Sequence, residues 1–301
     1  MLGDVEDIAS AAELAQRLAG TGYLADDGLA TIGFIALAMH RPLLLEGEPG
    51  TGKTALAEAL AESLDLPLIR LQCYEGIEAS QALYDWDFPR QILHLRTIEA
   101  TRAAEDGVDV EEVEKSLFDE RFLLARPVLR ALRESPAVLL VDEIDRADDE
   151  FEAFLLEVLS TYQVSIPELG TITATRPPVV VLTSNRTREV HDALKRRCLY
   201  HWIDYPDAER EVEIVRRRVP EAEQQLAVDV AAAVRTLRSS NLQKPPGIAE
   251  AIDWVAALEL LGVRRLDAAA ADRTLAAVLK YREDQELVRE RGLAQLVAGD
   301  G

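Results

Sequence analysis

The sequence predicts an α/β fold: a five-stranded parallel sheet flanked by helices, plus a small all-helical second domain. Two observations predict it. Up to about Asp204, helical patterns alternate with short β-rich apolar runs, the pattern of parallel strands joined by crossover helices. From about Tyr205 onward no strand pattern appears, and only helical stripes remain. At roughly 150 residues per domain, a chain of 301 residues accommodates both parts, placed at 1–206 and 207–301.

The strand candidates are Pro42–Leu45, Pro67–Leu71, Ala137–Val141, Val179–Leu182 and Leu199–Ile203. Three of them are near-continuous aliphatic runs, as expected of strands covered on both faces. In the second part, Leu226, Val230, Val234 and Leu237 share one helical face. Ile248, Ile252 and Val255 form another stripe, and Leu275, Val278 and Leu279 a third. Pro206 and Pro220 mark turns, Pro245-Pro246-Gly247 separates two helices, and the end at Ala298–Gly301 is expected to fray. Two segments interrupt the alternation. One is an insert at about 74–130, with Tyr84, Trp86 and Phe88 alternating with Asp85 and Asp87, and an acidic run from Glu105 to Glu114. The other is a hairpin at about 163–176, where Val164, Ile166 and Ile172 alternate around a turn at Pro167–Gly170. Packing and contact with a client protein are both open for the aromatic stripe; the acidic run reads as a solvated face.

Charge and composition remove several classes. Lys plus Arg number 33 against 54 Asp plus Glu, a net charge of −21, which disfavours non-specific nucleic-acid binding. Two cysteines, Cys73 and Cys198, form neither a disulfide framework nor a zinc cluster and read as small apolar residues. His40, His94, His191 and His201 are scattered without metal spacing, and His191 suits a helix start. The acidic start lacks the features of a signal peptide, and no apolar run approaches the ~18 residues of a membrane span. A cytoplasmic protein is expected.

Gly47-Glu48-Pro49-Gly50-Thr51-Gly52-Lys53-Thr54 matches the phosphate-binding pattern GxxxxGK[ST]. Leu43–Leu45 supply the preceding strand. The glycines let backbone N–H groups converge on phosphate oxygens. Lys53 adds a charge for the β- and γ-phosphates, and Thr54 offers a hydroxyl to Mg²⁺. The helix that follows, with Leu56, Leu60 and Leu64 on one face and Glu58 and Glu62 opposite, aims its N-terminus at the phosphates. A second apolar run ends in Asp142-Glu143, carboxylates at a strand tip, where open α/β sheets bind ligands. Asp142 is the candidate magnesium carboxylate, and Glu143 the candidate base for an attacking water. A third run ends in Thr183-Ser184-Asn185; Asn185 suits either a γ-phosphate or water contact or the turn after the strand. Lys195-Arg196-Arg197 before the last strand reads either as an arginine finger or as cations at a helix C-terminus.

These elements, in this order and spacing, resemble the AAA+ ATPases, and within them the MoxR family, over roughly residues 20–290. Walker A is Gly47–Thr54 and Walker B is Val138–Glu143, continued as Ile144-Asp145-Arg146-Ala147. Phe151–Leu159, then Gln163–Ile166, resemble the segment before sensor 1, and Asn185 falls at sensor 1. The Arg197 region followed by Asp204-Tyr205-Pro206 resembles the finger motif. The resemblance implies an AAA+ P-loop NTPase that binds ATP and Mg and assembles into a homo-oligomeric ring, usually a hexamer, with ATP between subunits. It also implies a partner with a von Willebrand factor A domain. Arg197 is the first candidate finger and Arg196 the second. Tyr23 and Leu24 align with positions that flank adenine, although core packing explains them equally. Segments 70–76, 183–189 and 191–198 resemble a branch linked to maturing the metal cluster of carbon monoxide dehydrogenase, a molybdenum hydroxylase, which makes a metalloenzyme the client. One departure stands out: the stretch where a sensor 2 Arg is usual reads Gln243-Lys244-Pro245-Pro246-Gly247, so Lys244 is the nearest cation, and a flexible point charge replaces a planar fork.

Rival functions fit less well. A GTPase lacks its Asn-Lys-x-Asp motif, and a small-molecule kinase needs neither finger nor insert. A DNA motor of this fold conflicts with the charge. Another client for the same ring, or a nucleotide-binding scaffold with little turnover, stays open; Glu143 argues against the scaffold.

Overall fold

The computed structural model describes residues 8–102 and 110–298. The acidic segment's start, residues 105–109, and the terminal stretches 1–7 and 299–301 lie outside the described residues.

Two helices open the chain, α1 (Ala11–Gly20) and α2 (Asp27–Ala38), started by Ser10 and Asp26, whose side chains accept from Glu13 and Leu29 N–H. There follow β1 (Leu43–Gly47), α3 (Lys53–Leu64) and β2 (Leu68–Gln72). The insert holds α4 (Ala79–Leu83), β3 (Tyr84–Trp86), α5 (Phe88–Arg102), α6 (Val110–Leu117), β4 (Leu123–Ala125) and α7 (Pro127–Arg133). Then come β5 (Val138–Asp142), α8 (Asp149–Thr161), the hairpin β6 (Gln163–Ile166) and β7 (Gly170–Thr173), β8 (Val179–Ser184), α9 (Asp192–Arg197) and β9 (Leu199–Ile203). Six helices close the chain: α10 (Ala208–Arg218), α11 (Gln224–Ser239), α12 (Ile248–Leu260), α13 (Ala268–Val278), α14 (Arg282–Arg291) and α15 (Leu293–Ala298).

All five expected strands pair in one parallel sheet of order β2-β5-β8-β1-β9. The three inner strands are buried along almost their whole length, whereas the outer strand β2 alternates exposed and buried residues. Side chains alternate faces along a strand. Leu44, Leu139, Val141 and Leu182 therefore face α7 and α8, where Leu129, Phe151 and Leu155 meet them. Leu43, Leu45, Val138, Leu140 and Val181 face the other layer, formed by Leu14 and Leu18 of α1, Leu29 of α2 and Leu56, Leu60 and Leu64 of α3. Fully burying each such side chain stabilises the fold by roughly 1.5–3 kcal/mol. A separate core fills the six-helix region. It is built on the expected stripes Leu226, Val230, Val234, Leu237, Val255, Leu275, Val278 and Leu279, around a fully buried Trp254 whose indole N–H donates to Thr274 Oγ1 at 2.7 Å.

The insert's aromatic stripe is split. Tyr84 and Trp86 lie in β3, paired antiparallel with β4 and packed on the sheet's core, with Trp86 edge-on to Phe118 at 5.3 Å. Phe88 begins α5 and is exposed. The β3–β4 pair closes the base of the insert and was not expected from the sequence. The hairpin at 163–173 forms as the alternation predicts, with Val164 and Ile166 buried.

Candidate nucleotide site

In a parallel sheet every C-terminal strand end lies on the same rim. The register aligns Gln72 with Asp142 and Gly47 with Ile203, and it places Glu46 beside Ser184. The Gly47–Thr54 loop leaves this rim and turns into α3. Its path needs glycine where the backbone turns left-handed, at Gly50 (φ +77°) and Gly52 (φ +91°). It needs glycine at Gly47 for space, because a Cβ there would stand 2.3 Å from the carbonyl oxygen of Ile203. Gly52 caps α3 with no side-chain hydrogen bond, so backbone N–H groups of the first turn are left for an anion. Thr51 is buried and donates to Glu48 O at 2.9 Å, holding the bend; Glu48 and Pro49 are exposed at its tip. Lys53 is buried, and its ammonium donates to Gly47 O at 2.8 Å and Glu48 O at 2.7 Å. Burial lowers its pKa, with the charges of Asp145, Glu48, Asp142 and Glu143 pulling it back up. Tyr23 lies against Gly52, its Cε2 3.8 Å from where a Cβ would be, and burial raises its pKa. The Leu24 carbonyl accepts from Arg210 at 2.6 Å.

Asp142 is 3% exposed. Its Oδ1 accepts from Thr54 Oγ1 at 3.1 Å and Thr183 Oγ1 at 2.5 Å, and its Oδ2 from Arg70 at 2.5 Å. A buried carboxylate beside a hydroxyl on a phosphate loop is the hard-oxygen set that magnesium takes together with nucleotide phosphates, so these residues fit that ion. Glu143 sits at φ +56°, a conformation that costs a non-glycine residue energy and that clusters at functional sites. The turn lifts its carboxylate to Asn185, whose Nδ2 donates to Oε1 at 3.3 Å; Oε2 accepts from Gln72 at 3.1 Å and Arg146 at 2.9 Å. The segment after Asn185 is anchored to the Walker B side. Thr187 donates its N–H and hydroxyl to Asp145 Oδ2, Arg188 pairs with the buried Glu152, and His191 N–H donates to Glu152 at 2.7 Å. Asp145 Oδ1 is buried without a partner among the described residues. His191 itself starts α9, Nδ1 accepting from Ala193 N–H.

The structure thus brings together Gly47–Thr54, Asp142, Glu143 and Asn185, with Tyr23 beside them. It does not bring Arg196 or Arg197 there. Leu199, just after them, pairs with Leu43 at the start of β1, four residues below Gly47, or ~13 Å along the strand. Arg197 is exposed and donates to Ser160 Oγ at 3.0 Å; Arg196 is exposed beside Asp192. Arg41 caps the end of α9 by donating to the carbonyls of Arg196, Arg197 and Cys198. The Lys244 side chain is exposed, and the Lys244 N–H donates to Asp284. Gly247 and Ile248, at the start of α12, bear on the loop, with Ile248 N–H donating to Gly50 O at 2.9 Å.

Sequence reasoning missed Arg70, Gln72, Thr183 and Arg238. Thr183 and Gln72 were legible as polar residues at the ends of apolar strands. Arg238 is nearly buried and forks onto the buried Glu211 at 2.9 and 2.7 Å, donates to Pro246 O at 2.8 Å and covers the Tyr205 ring at 4.2 Å. Its one signal is an acid, Glu211, four residues before Val215 on a buried helical face.

The fold and the phosphate loop with its acidic strand tip define a P-loop nucleotide-binding protein of the α/β class. The sequence model of the AAA domain, dynein-related subfamily, matches residues 42–198. The chain belongs to this family, whose members are ATPases that bind ATP with Mg. Uncharacterized proteins of Staphylococcus match it too: one from Staphylococcus saprophyticus is 24% identical over 188 residues, 60% of this chain and 62% of that protein. One from Staphylococcus epidermidis is 24% identical over 211 residues, 68% of this chain and 71% of that protein. The chain thus spans about three-fifths to seven-tenths of the length of these relatives. Among solved structures, the Thermotoga maritima RuvB Holliday junction branch migration motor overlaps with a TM-score of 0.45 at 16% identity, covering 90% of this chain and 72% of that one. No helix among the described residues is long and apolar enough to cross a membrane.

Proposed function

We propose that the chain hydrolyses ATP with magnesium at the boundary between subunits of a MoxR-type ring, and that the resulting movement remodels a client protein. The observation that carries this reading is the convergence of Thr54, Asp142, Glu143 and Asn185 on one rim above the phosphate loop. The loop's N–H groups and Lys53 hold the phosphates. Thr54 and Asp142 hold the metal, which shields phosphate charge when bound. Glu143 orients and deprotonates the attacking water, with Asn185 fixing both. Tyr23 and Leu24 flank the base. Arg197, or Arg196 beside it, lies too far down the sheet to serve its own site, which supports action on a neighbour's nucleotide. The helices from 207 on form the lid, and their contact at Gly50 is where nucleotide state reaches them; Lys244 lies three residues from that contact.

The segments 70–76, 183–189 and 191–198 look most like CoxD, the AAA+ accessory protein linked to the metal cluster of carbon monoxide dehydrogenase. That likeness supports a hexameric ring, a von Willebrand A-domain partner, and a molybdenum hydroxylase as the client. Calorimetry of the purified chain with ATP and magnesium tests the core of the reading: uptake by the wild type and none by Lys53→Ala is expected, and no uptake by the wild type overturns it. Metal content of carbon monoxide dehydrogenase co-produced with wild-type or Lys53→Ala chain tests the client. Equal loading in both overturns that assignment.

A further inference from the structure

Asp142 is an acid withdrawn from water, and a buried carboxylate needs a positive partner. Here that partner is Arg70: its Nη2 lies 2.5 Å from Asp142 Oδ2 and donates also to Gln72 Oε1 at 2.7 Å. The strand register explains the reach. Gln72 pairs with Asp142, and Arg70, two residues earlier, shares its face of β2, the face turned toward α3 and Thr54. The other carboxylate oxygen already accepts from Thr54 and Thr183. Three of the carboxylate's roughly four lone-pair sites are thus taken while Arg70 stays, and the one left, on Oδ2, lies beside the guanidinium. A guanidinium and a divalent cation also repel each other across one carboxylate. Arg70 itself is half exposed, at 52% of its side chain, so it can leave into solvent without unpacking a core.

We propose that Arg70 is a displaceable counter-ion for Asp142. It balances the charge of the buried acid and holds it aligned while the site holds no nucleotide, and it yields its place when magnesium arrives with the phosphates. Because the ion must displace an arginine, Asp142 and Thr54 alone hold it weakly, and metal enters together with nucleotide rather than before it. Arg70 is a positioning residue in this role, acting on the reaction through Asp142. The proposal rests on the reading of Thr54 and Asp142 as the metal's protein ligands.

The test is a magnesium titration of the full chain with a fluorescent ATP analogue, for wild type, Arg70→Met and Arg70→Lys, read as nucleotide binding. A second measurement is thermal unfolding with EDTA and with saturating Mg·ATP. Competition predicts opposite signs in the two readouts. Removing the guanidinium lowers the magnesium midpoint by about fivefold to tenfold, the scale of one charge-assisted hydrogen bond at a half-exposed site. It also lowers Tm in EDTA by about 2–4 °C, a loss that Mg·ATP reverses. Arg70→Lys, which keeps the charge without the fork, falls between. An unchanged or higher magnesium midpoint in Arg70→Met, with wild-type binding intact, overturns the proposal and leaves Arg70 a structural pair. Absence of magnesium-dependent nucleotide binding in the wild type is a different result: it overturns the reading of Thr54 and Asp142, and the Arg70 role with it.

Discussion

The amide of Asn185 donates to the carboxylate of Glu143 at 3.3 Å, joining the tips of two adjacent strands, β8 and β5. Gln72 and Arg146 hold the other oxygen, so Glu143 is fixed from three sides in a backbone conformation it does not prefer. On the proposed reading, that expense buys orientation for a proton acceptor and little for nucleotide affinity. Glu143→Gln should keep ATP affinity within about threefold while turnover falls by about 10²–10⁴, the range for a positioned general base. Phosphate release and a nucleotide titration read the two quantities separately; turnover equal to wild type removes Glu143 from the base role.

Arg197 stands on the opposite rim of the sheet from the phosphate loop, on a short helix whose end Arg41 locks by three carbonyl contacts. In the proposed ring, a cation held there would complete the site of a neighbouring subunit. Arg197→Ala should lower hydrolysis by about 10³ and leave ATP binding in place. Mixing it with Lys53→Ala subunits, which keep the arginine but lose the loop cation, should restore part of the rate. Titrating one inactive variant into the other checks this, and a mixture as inactive as its components argues against a shared site.

Gly247 and Gly50 meet backbone to backbone. A Cβ on Gly247 would lie 2.7 Å from Gly50 Cα and 2.9 Å from its carbonyl oxygen. The conformation of Gly247, φ −86° and ψ −170°, is open to any residue, so the constraint is space alone. Gly247→Ala should push α12 off the loop and break the Ile248–Gly50 hydrogen bond, at a cost of about 1–3 kcal/mol for forced overpacking. Nucleotide affinity should change while far-ultraviolet circular dichroism stays native. Equal affinity in the variant would show that the lid does not sense the loop here.

Much of this arrangement is local in the chain, and that is why the sequence carries it. Val138–Val141 and Val179–Leu182 read as strands because burial on both faces makes them aliphatic throughout, and Gly47–Thr54 reads as a phosphate loop because the turn chemistry lies within eight residues. The Asp142–Glu143 pair is legible for the same reason. The Arg70–Asp142 and Gly247–Gly50 contacts are not, since each depends on a register or packing between segments far apart in sequence. Arg70 in isolation is an exposed residue on an alternating edge strand, and Pro245-Pro246-Gly247 in isolation is a helix break. The β3–β4 pair joins residues about 40 apart, and only the fold of the insert sets which residues meet. Around Lys244, charge draws attention to the cation, whereas the contact to the loop is made by Gly247 and Ile248, three and four residues on.

Arg238 ties the C-terminal helical region together. It forks onto Glu211, which is 2% exposed, holds the carbonyl of Pro246 just before Gly247, and covers Tyr205 in the connection from the last strand. Removing one partner of a buried pair leaves the other charge uncompensated, which costs about 3–5 kcal/mol. Arg238→Met should therefore lower Tm by roughly 6–20 °C, at about 2–4 °C per kcal/mol for domains of this size. Adding Glu211→Leu removes the stranded charge, and the double variant should regain most of the loss, since an apolar pair of similar volume is often neutral. It cannot replace the hydrogen bond to Pro246, so the position of Gly247 against Gly50 stays unsupported. The double variant should unfold near the wild-type temperature and still bind ATP more weakly. Calorimetric unfolding with nucleotide titration on the same samples separates the two effects. Wild-type affinity in a double variant of restored stability would confine Arg238 to holding the lid's own core.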